Sequence, residues 1–291
     1  MTSPAKTRAH SPSPDPLLAG STTTRCQGQQ RLLPGALPAG HLIAGRFSLE
    51  ASVGRGGQGV VYRALDLQTH QPCAVKLSRR RRYRRATPLL AKLHHPRVQE
   101  LLGWGSEGGL DYLVFRLYSG SDLQALVKSA GPLEAGRVRA LGAQLFTTLS
   151  HLHKGGVIHR DVKPSNVMLA GRRLVLIDFD LATRIGEIQP RGRLIGTPLY
   201  MSNELLSGRA AGPADDIFAG AVSLFELARG TLPTATSAPK NIEELRAARR
   251  APLESLGALD GFFKRALSPD PHQRFDSALA AAVALTRSGV A

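Results

Sequence analysis

Residues 46–66, "RFSLEASVGRGGQGVVYRALD", alternate apolar and polar positions on both sides of a glycine cluster. A period of two demands extended backbone, so the stretch predicts two strands joined by a glycine-rich turn. Gly54, Gly56 and Gly59 form G-x-G-x-x-G, followed by Val61. Glycines let backbone N–H groups approach phosphate oxygens closely. In a dinucleotide-binding fold that turn runs into a helix. Here a strand follows, which points to a flap over a nucleotide instead. Glycine turns are common in β-rich segments, so the pattern needs company.

That company lies downstream. "QPCAVKLS" predicts a third strand ending near Lys76, and "ATPLLAKLHH" a short helix closed by His95-Pro96. "RVQELLGWGSEGGLDYLVFRLYSG" predicts two more strands around a glycine turn. After "YSGSDLQALV" the period changes to helical. "EAGRVRALGAQLFTTLSHLHKGG" stops at two glycines, "DIFAGAVSLFELARG" is apolar all round, and "LDGFFKRALS" and "DSALAAAVALTRSG" follow. The class is α+β, with a small β-rich lobe over 42–117 and a larger helical lobe over 118–288. Residues 1–41, rich in Ser, Thr, Pro and Gly, read as a disordered tail.

Composition excludes several classes. No run reaches the roughly 20 apolar residues of a membrane span, and the N-terminus lacks the apolar core of a secretory signal. Two cysteines, Cys26 and Cys73, make neither a disulfide framework nor a zinc cluster. A soluble, cytoplasmic protein is expected. The net charge of +16 invites a nucleic-acid reading, but six arginines fall between Arg79 and Arg85, and aromatics make up only 5%. The charge is local, with no stacking platform for bases.

The chemistry concentrates in "IHRDVKPSNVML", residues 158–169, and "LIDFDLA", residues 176–182. Asp161 is a carboxylate able to accept a hydroxyl proton. Lys163 reaches toward a transferring phosphoryl group, Asn166 offers a hard carbonyl oxygen to Mg²⁺, and Asp178 adds a carboxylate ligand. Lys76, one strand beyond the flap, suits α- and β-phosphates. One base, two metal ligands and two cations together describe phosphoryl transfer from ATP.

On these motifs, in this order, the chain resembles the eukaryotic-type (Hanks-type) serine/threonine protein kinases over roughly residues 42–288. The resemblance implies the bilobal kinase fold, ATP with Mg²⁺ (or Mn²⁺) as cofactors, and protein substrates. It implies that Val53, Gly54, Gly56, Gly59, Val61, Ala74, Lys76, Phe115, Arg116, Tyr118, Asp122 and Met168 bind ATP. Phe115 falls at the gatekeeper position, and Asp122 is placed for the ribose hydroxyls. Asp161, Lys163, Lys76 and Thr197 are implied as catalytic, and Asn166 and Asp178 as metal ligands. His159, Arg160, Phe179, Glu204, Asp216 and Arg274 are implied as structural: "GTPLYMSNE" looks like the substrate-docking segment, Arg274 like the partner of Glu204, and Asp216 like the brace of the catalytic loop. Lys163 within "DVKPSN" is the serine/threonine signature.

Three departures stand out. The family's strand lysine pairs with a glutamate on the next helix, a position that falls here on Ala86. No Asp or Glu occurs between Asp66 and Glu100, which leaves Asp178 and, more distantly, Glu100 as substitutes. Misplacing such a group by about 1 Å costs on the order of 100-fold in rate. Next, the expected Asp-Phe-Gly reads Asp178-Phe179-Asp180. Aspartate enters left-handed backbone less readily than glycine, so the loop is expected to leave its metal-bound state less freely. Finally, Arg184 to Gly196 contains no Ser, Thr or Tyr. The usual phosphosite facing Arg160 is gone, and Glu187 could supply a fixed negative charge.

Control by loop phosphorylation is therefore not expected. The arginine run Arg79–Arg85 is a docking place for an acidic regulatory partner, or else a solvated basic junction. The rivals are a pseudokinase that binds nucleotide or partners, a small-molecule phosphotransferase, and a nucleic-acid binder. His94, His151 and His153 lack metal-ligand partners at suitable spacing, and Trp104 reads as packing in the small lobe.

Overall fold

The structure, a computed structural model, describes residues 8–10, 37–56, 59–78, 83–187, 195–233, 241–249 and 253–287, with backbone alone at 8–10, 56 and 83–86. The chain forms two compact units. One runs to His94 and includes Gln99–Tyr118; the other comprises His95–Val98 and everything from Ser119 onward.

The first unit is built on an antiparallel sheet of seven strands. Across it lie Arg8–His10, Leu101–Glu107, Leu110–Arg116, Gln71–Ser78, Gly59–Asp66, Phe47–Gly56 and Leu42–Ile43. The five longer strands are those the alternation predicts. Order also reaches ahead of residue 42, where Leu37 packs against the core and Gly40 N donates to Leu49 O at 2.7 Å. Residues directly opposite on antiparallel strands share a face. The register therefore sends Val60, Tyr62, Ala64, Cys73, Val75, Leu77, Tyr112 and Val114 to one side, where Phe47, Leu49 and Ile43 complete a buried cluster.

The helix Tyr83–Leu90 begins earlier and ends earlier than "ATPLLAKLHH" suggests. Pro88 lies inside it and removes one ladder donor. Beyond Leu90 the chain tightens instead of continuing, with Lys92 N donating to Leu89 O at 3.2 Å and Leu93 N to Leu90 O at 3.0 Å. The run Arg79–Arg82 lies outside the described residues, as do the side chains of Arg84, Arg85 and Ala86.

The second unit is organised around the helices Ala135–Lys154, Pro213–Arg229 and Ala278–Arg287. Gly142 permits their close approach: a Cβ there would lie 2.6 Å from Leu224 Cδ1 and 2.6 Å from Leu285 Cδ1. Pro213–Arg229 ends at Gly230 in the left-handed conformation, φ 80°. Two short pairings go beyond the sequence reading, Val167–Ala170 with Arg173–Leu176 and Val157–Ile158 with Thr183–Arg184. Strands of two to four residues are too brief to display a period. No described helix is long and apolar enough to cross a membrane.

Candidate active site

On the first unit's sheet, the face opposite the buried cluster carries most of the residues assigned to ATP. Gly54 stands opposite Val61, Val61 opposite Lys76, and Lys76 opposite Leu113. Ala74 stands opposite Phe115 one row away. Gly54, Val61, Ala74, Lys76 and Phe115 therefore share one face, with Lys76 only 8% exposed. Gly56 and Gly59 pair at the hairpin tip; residues 57–58 lie outside the described residues. Val53 differs, for the register slips between Ser52 and Gly54 and leaves it in an irregularity of the strand, 58% exposed. Arg116 Nε bonds Glu100 Oε2 at 2.5 Å, and Tyr118 Oη accepts from Glu100 N at 3.1 Å. Glu100, the more distant acid considered for Lys76, is thus engaged by Arg116.

In the second unit the loop 159–166 gathers most of the residues assigned to catalysis. His159, fully buried, donates from Nε2 to Ile177 O (3.1 Å), while its Nδ1 accepts from Asp161 N (3.3 Å). This fixes the tautomer and turns Asp161 toward Lys163. Lys163 Nζ lies 2.7 Å from Asp161 Oδ2 and donates to Thr197 Oγ1 at 2.8 Å. Thr197 Oγ1 in turn donates to Asp161 Oδ1 at 2.8 Å. Asn166 Nδ2 donates to Asp161 Oδ2 (3.0 Å) and to its backbone oxygen (2.8 Å). Carboxylate, cation and hydroxyl close a triangle, and the amide braces it.

Asp216 supports this loop from beneath. Its Oδ2 accepts from His159 N (2.9 Å) and meets His153 Nε2 (2.9 Å), and its Oδ1 accepts from Arg160 N (2.8 Å). Burial by itself would raise the carboxyl pKa, but the bonds from His153 and His159 hold it below the ordinary value. Arg160 has φ 71°, and the amide bond to Asp216 holds this left-handed turn in place. His153, which sequence spacing left without a role, is a working part of the brace.

Phe179 is buried against His159, edge to ring at 4.6 Å. Asp178 occupies the left-handed region, φ 61°, whereas Asp180 does not. The residue in glycine's place therefore does not use positive φ here; the expected loss of freedom concerns departure from this conformation. Burial lowers the Arg160 pKa against the pull of Asp216 and Glu187, and its Nε, buried, makes no hydrogen bond. Glu187 Oε2 is itself held by Thr183 Oγ1 at 2.7 Å and Arg184 N at 3.2 Å.

Asp122 Oδ1 caps the helix Leu123–Ala130 through Ala125 N at 2.8 Å, and Asp122 pairs in register with Met168. The segment from Gly196 to Glu204 is pinned at several points. Gly196, φ 127°, sits so close to Arg160 O that a Cβ would approach to 2.9 Å. Tyr200 Oη donates to Glu226 Oε2 (2.6 Å), Ser202 Oγ to Asp215 Oδ1 (2.6 Å), and Arg274 forks onto Glu204 at 2.9 and 3.1 Å. Burial raises the pKa of Tyr200, so the phenol stays neutral and donates, and burial raises that of Glu226 against the opposing effect of the bond from Tyr200. Tyr200, Asp215 and Glu226 have no role in the sequence reading, since their partners lie 13 to 26 residues away and such pairs leave no periodic signal.

The donor set suits a magnesium ion. With Asn166 Nδ2 committed to Asp161, its amide oxygen remains as a hard ligand. Ile177 N donates to Asn166 O at 2.9 Å, which brings the adjacent Asp178 to the same strand ends. Among the described residues no group of three or more His, Cys, Asp or Glu forms a metal cluster. Two oxygen ligands match a cation that completes its shell with water and nucleotide phosphates.

Comparison with known proteins agrees with this geometry. The family model described as "Protein kinase domain" matches residues 47–282. The chain is 32% identical over 268 residues to serine/threonine-protein kinase pkn3 of Myxococcus xanthus, covering 82% of this chain and 49% of that protein. It is 30% identical over 272 residues to serine/threonine-protein kinase PknD of Mycobacterium tuberculosis, with 84% and 40% covered. With serine/threonine-protein kinase PrkC of Bacillus subtilis the identity is 27% over 257 residues, with 82% and 40% covered. The chain spans half or less of the length of these relatives. With the match running from the flap hairpin to the last helix, the chain belongs to the protein kinase family, in its Hanks-type serine/threonine branch.

Proposed function

We propose that the chain transfers the γ-phosphoryl group of ATP to Ser or Thr hydroxyls of protein substrates. The observation that carries this reading is the closed triangle of Asp161, Lys163 and Thr197, braced by Asn166. Asp161 accepts the substrate hydroxyl proton, and Lys163 offsets charge on the transferred group. Lys76 steadies the α- and β-phosphates, while Asn166 and Asp178 hold Mg²⁺, with Mn²⁺ an acceptable substitute. Held there, the metal would supply positive charge to offset that developing on the phosphates during transfer. Gly54, Gly56 and Gly59 supply the phosphate flap. Val61, Ala74 and Phe115 supply an apolar face for adenine, with the backbone of Arg116 to Tyr118 offering hydrogen bonds to the base, and the Asp122 carboxylate serves the ribose hydroxyls.

Activity without loop phosphorylation belongs to the same reading. No Ser, Thr or Tyr occurs from Arg184 to Gly196, and Glu187 already acts electrostatically on Arg160. A cytoplasmic, reducing setting is part of the same reading, and a free thiol at Cys73 fits it. An acidic regulatory partner at Arg79–Arg85 is a further part of the proposal. Neutralising these arginines without change in activity or partner binding would dispose of it.

One sequence feature favours a second reading, a weakly active or inactive nucleotide-binding module: no Asp or Glu occurs from 67 to 99, so the helix Tyr83–Leu90 carries no carboxylate at the family's glutamate position. Single-turnover transfer of radiolabelled γ-phosphate from Mg²⁺-ATP to a Ser/Thr peptide array separates the two. Labelling by wild type and none by Asp161→Ala supports the kinase. ATP binding without labelling by either supports the module.

A further inference from the structure

Arg249 follows the short helix Ile242–Ala248 and turns its guanidinium under the docking segment. Its Nη1 donates to Met201 O, and its Nη2 donates to Leu199 O at 2.8 Å and to Pro198 O at 3.4 Å. The same guanidinium stacks over Phe218, 5.2 Å from the ring centroid, and Arg274 lies over that ring at 4.6 Å. Two cations on one ring, one bonded to Glu204 and the other to backbone carbonyls, form a compact support beneath residues 198–204.

Burying a charge is costly unless dipoles or counter-charges compensate. The bonds drawn from Arg249 all end on backbone oxygens of this one segment. Hydrogen bonds from a charged donor are stronger than neutral ones, and three from one guanidinium favour a single backbone shape in this short irregular stretch. Burial, with Arg274 close by, lowers the Arg249 pKa to about 10, so the side chain is still cationic near neutral pH. The segment begins at Thr197, whose hydroxyl sits 2.8 Å from Asp161 Oδ1. Pro198 is exposed and Leu199 half-buried, leaving one side of the segment open while Arg249 holds the other.

We propose that Arg249 is a positioning residue for the peptide substrate: it shapes the backbone of Pro198–Met201 into the shelf on which the hydroxyl-bearing peptide docks beside Asp161. The inference rests on the kinase reading above. It extends that reading to a residue outside the glycine flap, the catalytic loop and the metal ligands.

The test compares wild type, Arg249→Gln and Arg249→Lys in two reactions: phosphorylation of a Ser/Thr peptide and ATP hydrolysis without peptide, where water is the acceptor. In Arg249→Gln the peptide KM is expected to rise about tenfold, with the KM for ATP and the peptide-free turnover changed less than about twofold. Arg249→Lys, which keeps one cationic donor, is expected to recover part of the peptide KM. Unchanged peptide KM in Arg249→Gln would overturn the proposal. So would an equal fall in both reactions, because a loss of folded protein lowers them together. If Arg249→Gln does not fold, Arg249→Lys decides by the same comparison of peptide KM with peptide-free turnover. A wild-type protein that labels no peptide would defeat the kinase reading itself, an outcome distinct from either of these.

Discussion

Asn166 donates its side-chain amide to both the carboxylate and the backbone oxygen of Asp161, at 3.0 and 2.8 Å. One residue thereby orients the proposed base and keeps its carbonyl oxygen for the metal. Asn166→Ala removes both functions. The expected result is a loss of kcat of about 100-fold and a requirement for higher Mg²⁺, with the peptide KM little changed. Steady-state kinetics across a Mg²⁺ titration measure it, and an unaltered Mg²⁺ requirement would remove Asn166 from the metal site.

Asp216 links the catalytic loop to the helix Pro213–Arg229. Its folded-state pKa lies below the ordinary carboxylate value, so it contributes stability above about pH 4 that is lost as pH falls through the folded value. Asp216→Asn is expected to lower the unfolding free energy by about 3 kcal/mol at neutral pH. The gap to wild type should narrow below about pH 4. Chemical denaturation at several pH values tests this, and a gap that widens in acid would contradict the sign.

Arg274 forks onto Glu204 while 2% exposed. Arg274→Lys retains charge but loses the fork geometry, and an ammonium has no second arm for the remaining carboxylate oxygen. A loss of about 1–3 kcal/mol is expected, together with a lower Tm. Calorimetry showing no change would mean that the charge alone, and not the fork, secures the docking segment.

Gly120, φ 136°, lies against the strand Val167–Ala170, where a Cβ would stand 2.1 Å from Leu169 O. Gly120→Ala is expected to push apart the pairing of Ser121 with Leu169 and of Asp122 with Met168. A rise in the KM for ATP and a stability loss of at least about 2 kcal/mol should accompany it. An unaffected nucleotide KM would show that Asp122 and Met168 do not depend on this contact.

Much of this protein is legible in one dimension because its chemistry is local. The glycine flap with Lys76 is one short motif and the Asp161–Asn166 loop with Asp178 another, and within each the members lie close along the chain. The long strands and the helix Ala135–Lys154 announce themselves by period, since burying one face repeats every second or every third to fourth residue. What the chain order hides are relationships across large separations. His153 with Asp216, Tyr200 with Glu226 and Arg249 with the carbonyls of Pro198–Met201 each join residues 26 to 63 apart. Neither partner of such a pair has a pattern of its own. The same holds for the Asp178-Phe179-Asp180 turn, where the left-handed residue is Asp178 and not Asp180, a distinction that the motif's letters do not carry. Local residue types determined the reaction chemistry; packing of distant segments decided which polar groups hold that chemistry in place, because a buried donor must find its acceptor wherever the fold brings one.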